Sequence, residues 1–322
     1  MSVRSAGRRV VLLLALVGLL VAPSLAAAAD PVAVIIELQP GSGQIQVRRA
    51  GDPVWRSAQP LLSLRPGDQI TVGGDGRVAL AFRGVRGIRV VTAVDSPFTV
   101  EARPARTGGE IVAGVAAGVV DFLLGSRREP ERLPIAVRDS PQIRVTILSP
   151  RDSRLLPGPI AFEWTGFQSL RYRVRVSGPE GVLWEAVDLP RGQVSYPDGA
   201  PPLSPGVRYH WQLEAPETPP QQAYFEMLSA EQAYQIRREL DSVAAGGTSD
   251  GSRTGPVVLR AGFLVQQGLY TEARRELAAA IASDPREPTL HYLSGVLYER
   301  LGLPGLAAQE FLEARDLIGK RP

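Results

Sequence analysis

Acid–base or nucleophilic chemistry near neutral pH needs a group that titrates there, and this sequence of 322 residues offers two histidines and no cysteine. His210 stands between Tyr209 and Trp211. If those rings point inward from a strand, a period of two turns the imidazole out to solvent. His291 lies in the C-terminal part of the chain, among residues of helical composition. No HExxH or cysteine spacing brings ligands together, so no metal site is expected. Gly73-Gly74-Asp75-Gly76 lacks the Lys-Ser/Thr pair and the helix of a phosphate loop, and reads as a hairpin turn instead. Two carboxylates would suffice for glycosidic cleavage. Glu163, Glu185 and Glu226, however, alternate with apolar strand residues and read as solvated faces. No catalytic residue and no cofactor is assigned, and a non-enzymatic protein is expected.

Recognition is what remains, and it depends on the elements that present a surface. Arg4, Arg8 and Arg9 precede an apolar run from Val10 to Val21, followed by Pro23 and by Ala27-Ala28-Ala29 before Asp30. That is the pattern of a secretory signal peptide over residues 1–29, with an apolar core well short of the roughly 20 residues of a membrane span. The mature chain is expected to begin near Asp30, in the periplasm or outside the cell, with a membrane attachment only if the signal stays uncleaved. The signal carries three of the 36 basic residues and no acid, so the rest of the chain matches its 33 acidic residues and is formally neutral. A neutral chain gives no reason to expect nucleic acid as a partner. Without cysteine, each domain must be held by its own core.

From Val34 to Val100 apolar residues recur at period two in short runs: Ile45/Val47, Ile70/Val72, Val78/Leu80/Phe82, Ile88/Val90 and Phe98/Val100. These are half-buried strands. The segments Gly43-Gln-Ile-Gln-Val47, Trp55, Leu64-Arg-Pro-Gly-Asp-Gln-Ile70 and Gly76-Arg-Val-Ala-Leu-Ala-Phe82 resemble the FecR-like domain over about residues 34–101. That resemblance implies an extracytoplasmic β domain. The founding regulator of the family also carries a cytoplasmic part, and with only nine residues before the apolar segment here none is expected. The apolar stretch 111–124, with Gly114 and Gly118 four apart, is too short to span a membrane and is expected as a small helix packed through its glycine face. A first domain thus covers 30–124, and a Pro/Arg/Glu-rich linker covers 125–141.

Residues 142–228 alternate again, through Ile143/Val145/Ile147, Ile160/Phe162/Trp164, Tyr172/Val174/Val176, Val182/Trp184, Val194/Tyr196, Tyr209/Trp211/Leu213 and Phe225. Seven strands predict a β-sandwich with Trp164 and Trp211 between its sheets. Leu203-Ser-Pro-Gly-Val-Arg-Tyr209 resembles the tyrosine corner of fibronectin type III and immunoglobulin-like domains, which implies that the Tyr209 hydroxyl bonds back to nearby backbone.

The remaining residues, 229–322, have helical composition. Gly268/Gly302, Leu269/Leu303, Ala273/Ala307, Leu277/Phe311 and Ala280/Ala314 repeat at a separation of 34. The period and the Gly…Ala…Ala…Asp284-Pro285 pattern resemble two tetratricopeptide repeats, 254–287 and 288–319, with a glycine ending each first helix and Pro285 opening the second unit. The overall expectation is a multidomain chain, two all-β domains followed by an α-helical repeat domain. The resemblance implies a concave groove lined by the first helices, which would receive a protein partner through Val258, Gly262, Val265 and Gln266 together with Thr289, Tyr292, Val296, Glu299 and Arg300. The function expected is an exported protein-binding adaptor or scaffold of the bacterial cell envelope. Two alternatives stand beside it: a binder of cell-wall glycan or peptidoglycan through Trp55 and Trp184, and an envelope signalling regulator of the FecR type.

Overall fold

A computed structural model describes residues 29–84, 88–102, 115–126, 145–246 and 252–319. The expected signal peptide lies outside the described residues but for its last one, as does most of the expected linker. The chain opens with eight short strands: β1 (Ala33–Gln39), β2 (Ile45–Arg48), β3 (Trp55–Ser57), β4 (Ser63–Leu64), β5 (Gln69–Val72), β6 (Arg77–Phe82), β7 (Ile88–Thr92) and β8 (Phe98–Thr99). They form two four-stranded sheets, ordered β4-β1-β6-β7 and β3-β2-β5-β8. Alternate residues meet between the sheets, where Ile35, Leu38, Leu80 and Phe82 from one pack with Ile45, Val47, Ile70 and Val72 from the other. The turn Gly73–Gly76 joins β5 to β6, which belong to different sheets, so the hairpin expected there is instead a crossing between layers. Asp75 fixes it by accepting from Ser42 N at 2.6 Å and from Ser42 Oγ at 2.8 Å, tying this turn to the one between β1 and β2.

A bulge in β1 decides what the outer face of the first sheet carries. Ile35 pairs with Leu80 and Glu37 with Ala79, so Ile36 is an extra residue without an opposite number on β6. Strict alternation would send Glu37 to the side of Ala33 and Ile35, into an apolar core. The extra residue moves Ile36 and Glu37 together to the other face, beside Val34, Ala79 and Ala81.

Helix α1 (Val115–Ser126) follows, and then eight strands where the sequence predicts seven: β9 (Thr146–Ser149), β10 (Ser153–Leu155), β11 (Ala161–Thr165), β12 (Tyr172–Gly178), β13 (Gly181–Leu189), β14 (Gln193–Ser195), β15 (Arg208–Glu214) and β16 (Gln221–Met227). The additional strand, β10, runs parallel to β16. A five-stranded sheet, β10-β16-β15-β12-β13, faces a three-stranded one, β14-β11-β9. Phe162 packs on Trp211 with ring centroids 4.9 Å apart, and Trp164 on Tyr172 at 5.7 Å. The Trp211 indole donates to Pro150 O at 2.7 Å, and the Tyr209 hydroxyl accepts from Ser204 N at 2.7 Å, the backbone bond expected of that tyrosine.

Five further helices complete the described residues: α2 (Ala230–Gly246), α3 (Gly255–Gln266), α4 (Tyr270–Ser283), α5 (Pro288–Arg300) and α6 (Pro304–Gly319). Ser229 and Gln232 cap α2 reciprocally, each accepting the other's backbone N–H at 3.1 Å. The 34-residue repeat is visible in the backbone itself. Leu269 N donates to Leu264 O and Leu303 N to Tyr298 O, each at 2.9 Å, closing α3 and α5 with the same wide turn. That turn needs a left-handed residue, supplied by Gly268 at φ 73° and Gly302 at φ 67°. Helix α5 begins at Pro288 rather than at the Pro285 unit boundary, because Glu287 is its N-cap and accepts from Thr289 N.

Candidate functional site

The nine residues expected to line a groove lie on α3 and α5, and the chain itself occupies most of the space in front of them. Val258, Gly262, Val265, Thr289 and Val296 are buried. For those on α3 the cover comes from the outer face of β1 and β6 and from α1: Val258 and Val265 share one core with Val34, Ile36, Ala79, Val119 and Leu123. Gly262 lies so close to α1 that a Cβ there would sit 3.2 Å from both Val119 and Leu123. Tyr292 turns toward the second helix of its pair, its ring 5.1 Å from Phe311, and is half-buried. Gln266, Glu299 and Arg300 stay exposed along the rim. Arg300 lays its guanidinium 4.6 Å over the ring of Phe122 in α1. The expected open groove is therefore a filled one, and only its rim faces solvent. The reason is chemical: a first helix with apolar residues on two faces buries both when another element of the same chain can reach it.

The two β modules grip opposite ends of the same two helices. At the N-terminus of α3, Glu37 accepts from Thr254 N at 3.2 Å, from Gly255 N at 3.3 Å and from the Ser252 hydroxyl. At the N-terminus of α5, Glu287 accepts from Thr289 N and from Leu38 N of β1, both at 3.1 Å. At the C-termini the partners come from the second module. Arg154 donates to Gln267 O at 3.2 Å, and Arg151 donates to Leu301 O at 2.7 Å. Those two carbonyls are 34 residues apart, equivalent positions of the repeat. Each helix thus has a carboxyl group at its positive end and a guanidinium at its negative end, and each compensates the macrodipole where unpaired N–H or C=O groups would otherwise remain.

Further polar contacts complete the junction with the second module. Arg154 N donates to Gly268 O at 2.9 Å, and Leu156 N donates to Glu272 at 3.2 Å. Burial raises the Glu272 carboxyl, with the Leu156 bond acting in the opposite direction. Glu163, read from the sequence as a solvated strand residue, takes an ion pair from Arg274, its side chain only 19% exposed. Sequence alternation places Glu163 on the outer face of β11, and only the docking of α4 onto that face buries it. Burial and the charge of Glu37 push Glu287 the same way, up to about 7, although the bonds from Thr289 and Leu38 pull it down.

Both histidines are accounted for. His210 is exposed beside Tyr224. His291 is buried, its ring nitrogens 2.8 Å from Glu310 and 3.2 Å from Pro285 O, and the Glu310 bond holds it above the ordinary histidine value against the effect of burial. Among the described residues no three His, Asp or Glu side chains gather as metal ligands, and no helix is long and apolar enough to cross a membrane. Trp184 packs between Phe162 and Tyr196 at 6.0 and 5.5 Å. Trp55 is half-exposed under the Arg48 guanidinium, 4.8 Å from its ring. Arg48 also borders a shallow cavity of about 380 Å³, shared with Arg49, Asp52 and Gln69. The sequence matches no family model and no curated protein.

Proposed function

We propose that the chain is an exported, non-enzymatic protein-binding adaptor of the bacterial cell envelope. In this reading a FecR-like domain and a fibronectin-like sandwich are held in fixed relation by two tetratricopeptide-type helical pairs. One observation carries it: the first β module caps α3 through Glu37 and holds the α5 cap Glu287 through Leu38 N–H, while the second bonds equivalent carbonyls at the other ends of both helices through Arg154 and Arg151. Such a construction spends the repeat on rigidity between modules rather than on a mobile site. The partner contact is assigned to the solvent-facing rim, Gln266, Glu299 and Arg300, beside α1. The test is photo-crosslinking in the producing cell, with a crosslinking side chain at residue 299 or 300 and a control at Leu312 on α6. Protein adducts at the rim and none at the control support the reading, and a rim as silent as the control sinks it. Mass spectrometry of the protein recovered from the envelope fraction should find an N-terminus near Asp30.

A second reading, glycan binding, is favoured by Trp55, whose half-open ring lies under Arg48, a residue that also borders a cavity with Arg49. Trp184 gives it less, since that ring is stacked in the sandwich core. Co-sedimentation with purified peptidoglycan should then be lost in Trp55→Ala and kept in Arg300→Glu.

A further inference from the structure

Two carboxyl groups are buried where β1 meets the first helices, and each keeps one oxygen without a hydrogen-bond donor. Glu37 and Glu287 are each 1% exposed. Glu37 uses Oε2 for the start of α3, while its Oε1 has Arg77 at 3.8 Å, too far for a hydrogen bond. Glu287 uses Oε1 for Thr289 N and Leu38 N, and its Oε2 has no partner. The Leu38 N–H belongs to the peptide unit that follows Glu37, so the two carboxyls flank the same stretch of β1. The surrounding charges are few. The first sheet supplies Glu37 from β1 and Arg77 from β6, and Arg77 is also bonded to Gln39 at 2.7 Å. The approach to α3 supplies the neutral Ser252 and Thr254 and an exposed Arg253, and the turn before α5 supplies Asp284 and an exposed Arg286. Two buried acids with one arginine, placed at Glu37, leave the junction with an excess negative charge when both are ionised, a condition that low dielectric penalises.

We propose that the Glu37–Glu287 pair is a proton-operated clasp: while the pair holds a proton the N-terminal sheet stays seated on α3 and α5, and losing that proton loosens the sheet and uncovers the filled face. The clasp works near neutrality, because burial and the charge of Glu37 hold Glu287 up to about 7. Its geometry stands alone, and only its consequence for partner access rests on the adaptor reading.

Hydrogen–deuterium exchange of the whole chain at pH 5.5, 7.0 and 8.5, corrected for intrinsic rates, tests it. Protection over 33–39, 255–265 and 288–296 should fall with rising pH, while 172–189 and 208–227 in the second module stay constant. For a carboxyl moved from 4.5 to about 7, the open population should grow about 30-fold between pH 5.5 and 8.5. Glu287→Gln, neutral at every pH, should flatten the profile. Glu37→Gln, which removes the like charge, should move the transition to lower pH and serves if the first variant does not fold. His291→Gln should leave the transition where it is. A flat wild-type profile, a Glu287→Gln profile that titrates like wild type, or a transition abolished by His291→Gln would overturn the clasp. None of these touches the rim crosslinks, whose absence beside an intact transition would count against the adaptor reading alone.

Discussion

At the scale of single residues, three groups that hold a proton more firmly than usual sit where the helices meet the two β modules or each other. Glu287 and Glu272 are raised mainly by burial, and His291 is raised mainly by its bond to Glu310. All three hold a proton more firmly folded than unfolded. Their contribution to stability is therefore complete at acid pH and is lost as pH rises, for Glu287 between about 4.5 and about 7. Asp75 and Asp95 act in the opposite sense. Backbone and hydroxyl bonds from Ser42 and Thr92 lower them, so what they contribute is present above 3.8 and lost on further acidification. Urea midpoints are predicted to peak in mildly acid buffer and to fall by an amount corresponding to about 3 kcal/mol or less between pH 5 and pH 8. A midpoint that rises toward pH 8 would contradict the prediction. Glycine gives a sharper test of packing. At Gly295 an added Cβ would lie 2.5 Å from the Phe311 ring, whereas at Gly305 nothing stands within 4 Å. Gly295→Ala should cost about 1–3 kcal/mol in thermal unfolding and Gly305→Ala almost nothing.

At the scale of elements, the helical pairs are defined by their ends as much as by their apolar faces. Removing a guanidinium from a helix C-terminus loses both a charged hydrogen bond and the dipole interaction. Arg151→Ala and Arg154→Ala should each lower stability by about 1–2 kcal/mol in urea titrations, and the difference from wild type should shrink at high salt. An effect insensitive to salt would assign these arginines to packing instead. The bulge at Ile36 has comparable weight: it allows one carboxylate to cap α3 while its strand neighbours Ile35 and Leu38 remain in the apolar core of the first module. Strand β13 shows a different kind of end. It pairs with β12 alone and exposes Val182 and Val187, while the Arg173–Glu185 and Arg175–Glu185 ion pairs keep charge on its surface, a feature that discourages edge-to-edge association.

At the scale of the whole molecule, the described residues bury three cores that do not coincide with three sequential domains. One core belongs to the two sheets of the first module and another to the sandwich. The third joins the outer face of the first sheet to α1 and to all the C-terminal helices. The first module and the helices should consequently unfold together, while the sandwich, attached through polar bonds and only the partly buried Leu148 and Leu156, should unfold separately. Three of the four tryptophans, Trp164, Trp184 and Trp211, lie in the sandwich. Tryptophan fluorescence should therefore report a transition distinct from the loss of helical signal at 222 nm. Coincident transitions by both probes would show that the junction couples all three cores. For the same reason a chain ending at Met227 should lose order in β1 and β6, whose outer faces rest on the missing helices.

What the sequence determined by itself is local. Period-two alternation marks the strands, and the separation of 34 with its glycines marks two helical pairs whose closing turns are the same backbone structure. Tyr209 announces its own bond. Each of these patterns is legible because it depends on neighbours a few residues away or on a repeated unit. The tertiary structure decided what those surfaces meet. The repeat resemblance implies an open groove lined by Val258, Gly262, Val265, Thr289 and Val296, but these residues are buried, and the strand and helix packed on α3 lie well over a hundred residues earlier. Glu163 and Glu37 look like solvated or misplaced acids until α4 and α3 arrive to use them. Gly73–Gly76 reads as a turn, but which sheets it joins depends on pairings it does not contain. Side-chain period encodes which faces are apolar; contact across the chain, settled by packing, decides which of them stay open.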